Sequence, residues 1–309
     1  MGKFKILIST VDQSRYFRRK REFFKQELAK LPDVEVRTVD KEGDIRDIMK
    51  AMKFTPDFIY IDDLIKNKPL HGLDAISIPK GLLYEDLQKH QDTFHQFIKK
   101  NKVDIIFAYY RDAFLKFFPE KKDRLIWVPP FINTKLFKDY GLEKKIDYLL
   151  LGSLHEDEYP LRTKITKEMA NVKGFVRHPP PERKNYTKEE EKKALIMENY
   201  AKEINRAKMF FTDGSKNNYP IFKYFEVPAC NTLLLAPALP ELKEIGFKNE
   251  HTFVDINAKN YYEKAKYYLK HEDKRKAIAK NGYELIRARH TTEIRVREFV
   301  DQIKRFLKK

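Results

Sequence analysis

The sequence predicts an α/β protein made of two doubly wound domains, and three observations support this class. Short apolar runs alternate with amphipathic stretches through residues 1–128, which is the rhythm of a mostly parallel sheet with helical crossovers. Pro129 and Pro130 then precede a polar, charged stretch at 133–145, which is typical of a linker. Beyond it the alternation restarts with an apolar run that ends at Gly152, which indicates a second domain. We expect a ligand cleft where two such domains face each other.

The first domain is predicted to span 1–135. Its first strand ends at Ser9 and is followed by Thr-Val-Asp-Gln-Ser rather than by a glycine-rich turn, which argues against a conventional NAD site. The expected strands are 4–9, 34–39, 58–61, 75–78, 105–109 and 125–128, and the expected helices are 16–31, 44–52 and 86–100.

The second domain is predicted to span 136–290. Its strands are expected as short, continuous apolar runs, which is the pattern of strands buried on both faces of a parallel sheet. The expected strands are 148–151, 175–176, 209–211, 232–236 and 253–255. The expected helices are 161–170, 188–208, 221–227, 239–245, 258–270, 273–289 and 291–309.

The chain is strongly basic, with 63 lysines and arginines against 46 aspartates and glutamates and a net charge of +17. An anionic donor or acceptor, a membrane surface, nucleic acid or a general lysine bias would each explain this charge. The single cysteine, Cys230, excludes an internal disulfide framework. No apolar run approaches the length of a membrane span or of a signal-peptide core, so we expect a cytoplasmic protein.

The densest basic cluster falls on the first expected helix. Two interpretations stay open: the outer face of an ordinary amphipathic helix, or an electrostatic docking face for an anionic acceptor or a lipid surface. The cluster consists of Arg15, Arg18, Arg19, Lys20, Arg21 and Lys25.

The stretch 209–242 predicts a ligand site. A strand is expected to end before Thr212, a polar loop follows, and Pro220 is expected in the first turn of a short helix that carries Lys223 and Glu226. Ligands bind beyond the carboxyl ends of the strands in open α/β sheets, and a helix N-terminus suits phosphate. Glu226 could accept two ribose hydroxyls and Lys223 could lie near a phosphate. Alternatively, the two residues form an i, i+3 ion pair on a surface helix.

Four sequence blocks, in order, resemble one family. Residues 223–235 (KYFEVPACNTLLL), 127–137 (WVPPFINTKLF), 146–154 (IDYLLLGSL) and 282–295, with Gly282-Tyr283 and Arg289-His290-Thr291, are similar to blocks of the CgeB/YkvP-like spore-maturation glycosyltransferases. These are GT-B enzymes close to glycosyltransferase family 4. The blocks span 127–295, a little over half of the chain.

The resemblance implies a GT-B fold and transfer of a sugar from a nucleotide-activated donor, UDP-linked, to an acceptor hydroxyl. It implies no bound metal, no separate cofactor and a retaining outcome, and it implies that helix 291–309 packs back on the first domain. It implies that the donor diphosphate is bound by Gly152, Ser153, Arg162 and Lys223. It also implies Glu226 at the ribose, His178 at the nucleobase, and Asn218, Tyr219 and Pro220 on the sugar side.

An acceptor-orienting or basic group is expected from the first domain. The candidates lie in the stretch 84–90 and are Glu85, Asp86 and His90; the alternative is an ordinary helix start capped by Asp86. The acceptor could be a glycan, a protein or a small molecule.

Two positions depart from the family pattern. Family 4 enzymes carry two glutamates separated by seven residues; the second matches Glu226, but Asn218 stands in place of the first. Asn231 replaces a glycine, and asparagine tolerates left-handed dihedral angles, so the turn should survive. The departures keep open a relative that binds a nucleotide sugar with little turnover.

Two other hypotheses remain. The acidic group at 156–158 could hold a metal through hard oxygen ligands, although its spacing does not match a metal motif. The net charge would also suit a nucleic-acid-binding protein or a DNA-modifying transferase on the same fold, although no basic patch interleaved with stacking aromatic residues can be located.

Overall fold

The computed structural model describes residues 2–308 and divides into two compact units. Unit 1 comprises residues 2–14, 19–129 and 293–308, and unit 2 comprises residues 15–18 and 130–292. None of the helices within residues 2–308 combines the length and the apolar character that crossing a membrane would require.

The elements of unit 1 alternate along the chain. Between residues 2 and 129 they are β1 (Phe4–Ser9), α1 (Lys20–Leu28), β2 (Val34–Val39), β3 (Gly43–Asp44), α2 (Ile45–Met52), β4 (Phe58–Ile61), β5 (Leu70–His71), β6 (Lys80–Leu83), α3 (Gln91–Lys100), β7 (Ile105–Ala108), α4 (Arg111–Phe117) and β8 (Leu125–Trp127). Six of these strands form one parallel sheet in the order β2-β1-β4-β6-β7-β8, and β3 pairs with β5 separately.

The elements of unit 2 repeat the alternation, and one helix follows them. They are β9 (Ile146–Leu151), α5 (Pro160–Met169), β10 (Phe175–His178), α6 (Lys188–Lys193), α7 (Met197–Asn205), β11 (Ala207–Phe211), α8 (Lys223–Ala229), β12 (Leu233–Ala236), α9 (Pro240–Glu244), β13 (Val254–Asp255), α10 (Tyr261–Lys270), α11 (Glu272–Arg289) and then α12 (Thr292–Leu307). The five strands of unit 2 form a parallel sheet in the order β10-β9-β11-β12-β13.

The helix α12 packs into the core of unit 1. Its buried residues Val296, Phe299, Val300 and Ile303 recur at three- and four-residue spacing, so they form one apolar face. The Phe299 ring lies 4.7 Å from the Phe107 ring, 5.0 Å from that of Tyr60 and 5.1 Å from that of Phe24, centroid to centroid.

The strands of unit 2 are buried on both faces. Leu149, Phe210 and Leu234 belong to the cluster under one face of the sheet, and their chain neighbours Leu150 and Leu235 belong to the cluster under the other face. Because successive side chains alternate between the faces, both must be apolar, which explains the continuous apolar runs in the sequence.

The predicted α/β class with parallel sheets is confirmed, but several predicted elements are wrong. The expected helix 16–31 begins at Lys20, because residues 15–18 belong to unit 2. The expected helix 86–100 begins at Gln91, since His90 takes a left-handed conformation with φ of 56° that an α-helix cannot contain. The expected strand 75–78 is not formed; the strand lies at β6, after Pro79.

Two further differences concern helices. The expected helix 188–208 is divided into α6 and α7, because Ala194 is extended with ψ of 150°. The helix α4, at Arg111–Phe117, was not predicted.

Each large sheet has one position where the strand order reverses. In unit 1 this topological switch point lies between β1 and β4, and in unit 2 it lies between β9 and β11. The chain leaves neighbouring strands in opposite directions there, which opens a crevice at the carboxyl ends of the strands. The switch points are therefore the natural places to look for ligand-binding residues.

Candidate functional site

Two loops meet at the switch point of unit 2. Strand β9 ends at Leu151 and continues into Gly152, and strand β11 ends at Phe211 and continues into Thr212 and Asp213. Since β9 and β11 are parallel neighbours, both loops leave the same edge of the sheet. Thr212 and Asp213 are buried, which is unusual for polar loop residues. Their side chains are therefore held in fixed positions at this edge of the sheet.

Gly152 is the point on which two cations converge. A Cβ atom at Gly152 would lie 3.1 Å from Arg162 Nη1 and 3.3 Å from Lys223 Nζ, and the residue has a φ of 121°. Glycine is needed here both for its conformation and for the close approach of the two side chains. We refer to Gly152, Arg162, Asp213 and Lys223 as the switch-point cluster.

Asp213 anchors Arg162 within this cluster. Its Oδ2 accepts a hydrogen bond from the backbone N–H of Arg162 at 3.1 Å, in the first turn of α5, and its Oδ1 lies 3.2 Å from Arg162 Nε. Arg162 Nη1 donates to the Ser153 carbonyl at 3.2 Å, and the guanidinium lies 3.9 Å from the centre of the Tyr159 ring. Within residues 2–308, the buried Nη2 of Arg162 has no hydrogen-bond partner.

Arg162 lies in the first turn of α5, where a cation opposes the helix dipole, and the protein itself supplies an anion there. The Asp213 carboxylate accepts a hydrogen bond from the backbone N–H of Arg162 near the helix N-terminus. One carboxylate therefore balances Arg162, and the guanidinium still has a donor left for a ligand.

Lys223 is the least compensated charge in the cluster. Its residue surface is only 6% exposed, and burial lowers the pKa of its ammonium to about 7, with Glu226 opposing the shift and Arg18 and Arg162 adding to it. Across the described chain, Lys223 Nζ makes no hydrogen bond; its aromatic neighbour is the Tyr200 ring, 5.9 Å away. A buried cation without a partner is costly unless an anion binds beside it.

Glu226 is turned towards Tyr200. Its Oε2 accepts a hydrogen bond from the Tyr200 hydroxyl at 2.9 Å. The i, i+3 ion pair between Lys223 and Glu226 that the sequence allowed is not formed in the described residues, so the hypothesis of a surface ion pair is wrong. Lys223 is left for other anions.

The sequence of the second half matches a known family. The model of the glycosyl transferase-like family matches residues 142–301, which is just over half of the chain. The chain belongs to this glycosyl transferase-like family. It is a glycosyltransferase.

Solved structures share the fold of this glycosyltransferase along nearly the whole chain. A sucrose-phosphate synthase from Thermosynechococcus elongatus is 14% identical, with a TM-score of 0.68 over 99% of this chain and 100% of that one. Anabaena Alr3699/HepE in complex with UDP and glucose is 11% identical, with a TM-score of 0.65 over 97% and 99%. An alpha-glucosyltransferase in complex with UDP-glucose and DNA containing an abasic site is 13% identical, with a TM-score of 0.62 over 98% and 100%.

These likenesses confirm the GT-B fold class. A search of curated proteins finds no sequence that matches the chain. The assignment to the CgeB/YkvP-like spore-maturation subgroup stays a prediction, as do the role of each site residue and the cytoplasmic location.

The remaining predicted donor residues of the glycosyltransferase belong to unit 2. The backbone carbonyl of Ser153 accepts the hydrogen bond from Arg162 Nη1. His178, at the end of β10, aligns in register with Leu151, and its Nε2 lies 2.8 Å from Glu203 Oε1. Asn218 is exposed, with a φ of 56°.

Tyr219 and Pro220 are buried, but Pro220 does not begin the helix. Helix α8 begins at Lys223 and has seven residues, so the predicted first-turn position of Pro220 is wrong. A turn in which the Ile221 N–H donates to the Tyr219 carbonyl at 2.8 Å intervenes. This delay brings Lys223, rather than a proline, to the start of the helix.

Asn231, which stands where the family pattern has glycine, adopts a φ of 51°. Its side-chain Nδ2 also donates to Asp139 Oδ2 at 2.8 Å. The expectation that asparagine preserves the left-handed turn is confirmed.

The three catalytic candidates have different surroundings within unit 1. Glu85 binds Lys20, and Arg21 Nη2 lies 3.2 Å from its Oε2. Despite the opposing effect of burial, the charges of Lys20 and Arg21 lower the pKa of Glu85 to about 2, which suits it to hold cations better than to accept a proton. Asp86 and His90 are exposed. A catalytic role for any of the three stays a prediction.

The basic cluster of the sequence does not form one helical face. Arg15 and Arg18 belong to unit 2, whereas α1 begins only at Lys20. Within unit 1, Arg21 pairs with Asp63 at 2.5 Å and Lys25 pairs with Glu22 at 2.7 Å. Because these cations are neutralised, the prediction of a single basic docking helix is wrong.

The acidic stretch 156–158 does not gather metal ligands. Glu156 Oε2 lies 3.0 Å from Lys167 Nζ instead. Within the part of the chain that the structure describes, no group of three or more His, Cys, Asp or Glu side chains could hold a metal ion.

Sequence reasoning missed three residues that shape the site. Asp213 could have been found, since a carboxylate directly after a buried strand often faces the ligand edge. Tyr200 gave no signal, because its partner Glu226 is distant in sequence. Arg18 was placed on a helix that starts two residues later.

Proposed function

We propose that this glycosyltransferase moves a sugar from a UDP-linked donor to an acceptor hydroxyl. In this reaction the bond between the anomeric carbon and the β-phosphate oxygen breaks, and the acceptor oxygen bonds to the anomeric carbon. The acceptor proton passes to a base, and UDP leaves. The observation that carries the proposal is the convergence of Arg162 and Lys223 on Gly152 at the switch point.

The cluster suits the leaving group of this reaction. Negative charge grows on the diphosphate as the glycosidic bond breaks, and buried, preorganised cations stabilise such charge better than water does. Arg162 is 2% exposed and Lys223 is 6% exposed, so both are held in place before a ligand arrives. Arg162 Nη2 and Lys223 Nζ supply the donors.

Glu226 would bind the ribose. One of its oxygens accepts from Tyr200, and a carboxylate has further lone pairs for two hydroxyl donors. The residue is partly exposed, so hydroxyls of a ligand can reach it. The bound UDP in Anabaena Alr3699/HepE supports the choice of nucleotide.

We further propose that the reaction needs no metal, because Arg162 and Lys223 already supply two positive charges at the phosphates, and that it retains the anomeric configuration. Turnover that persists in excess EDTA would support the first point. The anomeric proton of the first-formed product, followed by NMR, decides the second.

Calorimetric titration of UDP, GDP and ADP, followed by a UDP-release assay with UDP-sugars, tests the proposal. We expect UDP to bind most tightly and Lys223→Met to weaken it by about tenfold or more, the scale of a lost charged hydrogen bond. The matched control is Lys259→Met, which removes an exposed lysine of unit 2 and should leave binding unchanged. Absence of nucleotide binding, or equal binding by Lys223→Met, would contradict the proposal.

A second candidate is a transferase that modifies DNA. It is favoured by the net charge of +17 and by the DNA-bound alpha-glucosyltransferase among the structural neighbours. Binding of duplex DNA that weakens steeply with salt would support it, and DNA that accepts no labelled sugar from any UDP-sugar would rule it out.

A further inference from the structure

A short N-terminal segment belongs to unit 2 although both its flanking stretches belong to unit 1. Residues 15–18, which we name the 15–18 segment, are fixed to the loop before α6 by an antiparallel bridge between Tyr16 and Asn185. Backbone hydrogen bonds flank the bridge on both sides: Phe17 N to Lys184 O at 3.1 Å, and Tyr186 N to Arg15 O at 2.8 Å. The Arg15 side chain adds a bond from its Nε to the Tyr186 carbonyl at 2.9 Å.

The 15–18 segment ends in Arg18, whose charge affects the pKa of Lys223 in the switch-point cluster. Burial lowers the pKa of Lys223, and Arg18 lowers it further. Burial raises the pKa of Tyr159 and that of Tyr200, and Arg18 opposes both shifts. These three groups lie at the start of α5, on α7 and on α8, so the charge of Arg18 acts on side chains from three elements of unit 2.

Arg18 is exposed, and no carboxylate among residues 2–308 neutralises it. Its guanidinium lies 5.1 Å from the Phe17 ring, and in the described part of the chain no carboxylate comes within ion-pair distance of it. Lys223 is likewise without a hydrogen bond there, whereas Arg162 has Asp213. Two uncompensated cations beside one compensated cation favour a ligand with more than one negative charge.

We propose that Arg18 is a further binding residue for the phosphates of the nucleotide, and that the 15–18 segment is anchored on unit 2 in order to present it. This inference rests on the proposed function, since it assigns Arg18 to the same donor site. Arg18 then contributes charge from the solvent side, while Arg162 and Lys223 contribute it from the buried side. A guanidinium is suited to this role because it forms paired hydrogen bonds with phosphate oxygens.

The experiment compares three ligands that differ only in phosphate number. Calorimetric titration of UDP, UMP and uridine is carried out with the full chain and with Arg18→Ala. We expect UDP affinity to fall about tenfold, the effect of losing one charged phosphate contact, UMP affinity to fall less, and uridine affinity to stay unchanged. The matched control is Arg177→Ala, another exposed arginine of unit 2, for which we expect less than a twofold change.

The outcomes separate this inference from the function on which it rests. If the native chain binds UDP tightly and Arg18→Ala binds it equally well, the role of Arg18 is overturned and the donor site stands. If Arg18→Ala weakens uridine as much as UDP, the residue does not act on phosphate and the inference also fails. If the native chain binds no nucleotide, both proposals fall together.

Discussion

The two switch points share a topology but differ in charge balance. At the edge of unit 1, Arg21 is matched by two carboxylates, since Asp63 lies 2.5 Å and Glu85 3.2 Å from its guanidinium nitrogens. Thr10 and Asp62 meet there in a buried hydrogen bond of 2.6 Å. At the edge of unit 2, Asp213 is the one carboxylate that pairs with Arg162, and Lys223 has no partner within the described residues.

Strand order locates a ligand edge but does not determine what that edge binds. In unit 1 the protein provides its own anions, and the buried arginine stabilises the fold. In unit 2 the anions are too few, and the stabilisation of the cations is left to a ligand. The same kind of substitution should therefore have opposite consequences in the two units.

The largest effect is expected for Arg21→Met, which breaks the compensated network. Asp63 would lose Arg21 as its partner and Glu85 would keep only Lys20, and breaking a buried ion pair costs about 3–5 kcal/mol of unfolding free energy. Urea denaturation measures this loss. As a control, Arg37→Met removes a more exposed pair with Glu35 and should cost about 0.5 kcal/mol or less. A loss for Arg21→Met as small as that of the control would remove the contrast between the units.

Lys223→Met should separate function from stability. We expect the turnover of UDP-sugars to fall by about 10²–10³, the scale of losing one preorganised electrostatic contact. At pH 6 the unfolding free energy should stay the same or rise, because the substitution removes a buried ammonium without a partner. Measuring the turnover number and the unfolding free energy in urea on the same preparation checks both expectations. A clear loss of stability would show that Lys223 is compensated after all.

Glu226→Gln should sharpen the division of labour within unit 2. Losing a charged acceptor for the ribose should weaken UDP by about tenfold. The nucleotide that lacks the 2′ and 3′ hydroxyls should bind both forms equally, since it has no hydroxyl to donate. Glu198→Gln serves as a control, because Glu198 is an exposed residue paired with Lys202. Equal losses with both nucleotides would mean that Glu226 acts on something other than the ribose.

The smallest expected effect is a pH dependence of UDP binding. The pKa of Lys223 is lowered to about 7, so in the free protein this side chain loses its proton as the pH rises through that value. The facing charges are Glu226, which opposes the shift, and Arg18, Arg162 and Asp213. If the charged form binds phosphate, affinity should fall about fivefold between pH 7 and pH 8, with uptake of about half a proton per UDP at pH 7 and about 0.9 at pH 8.

Calorimetry in buffers of different ionisation enthalpy measures that uptake. Lys223→Met provides the reference, because any proton taken up by UDP itself remains in the variant. Without ligand the sign is also defined: the unfolded chain holds the Lys223 proton up to pH 10.5 but the folded chain only to about 7, so this group makes stability rise with pH across that window. An affinity independent of pH would contradict the assignment.

The sequence was sufficient to locate the strands of unit 2, but it was misleading about the position of one strand of unit 1. Strands buried on both faces leave continuous apolar runs, and β12 shows one. Strand β6 begins with a lysine and a glycine, which hide it. Gly81 is required, since a Cβ there would come within 2.5 Å of the Phe107 ring and 2.7 Å of the Phe58 ring. Tertiary packing selected a residue that strand propensity disfavours.

The candidate site was predictable where its residues follow strands. Lys223 could be proposed from local charge and Gly152 from the family resemblance, and the structure places them together. Arg18 could not, because its position depends on the bridge between Tyr16 and Asn185, which are far apart in the chain. The pairing of Glu85 with Lys20 and Arg21 was hidden for the same reason.

The position of α12 has a consequence for how the protein is made. Phe299 fills a space among Phe24, Tyr60 and Phe107, yet it is translated after the whole of residues 130–292. During synthesis the side chains of Phe24, Tyr60 and Phe107 therefore lack this partner until residues 130–292 have been made. A nascent chain in this state exposes apolar surface that favours aggregation. We therefore expect it to depend on chaperones until α12 has left the ribosome.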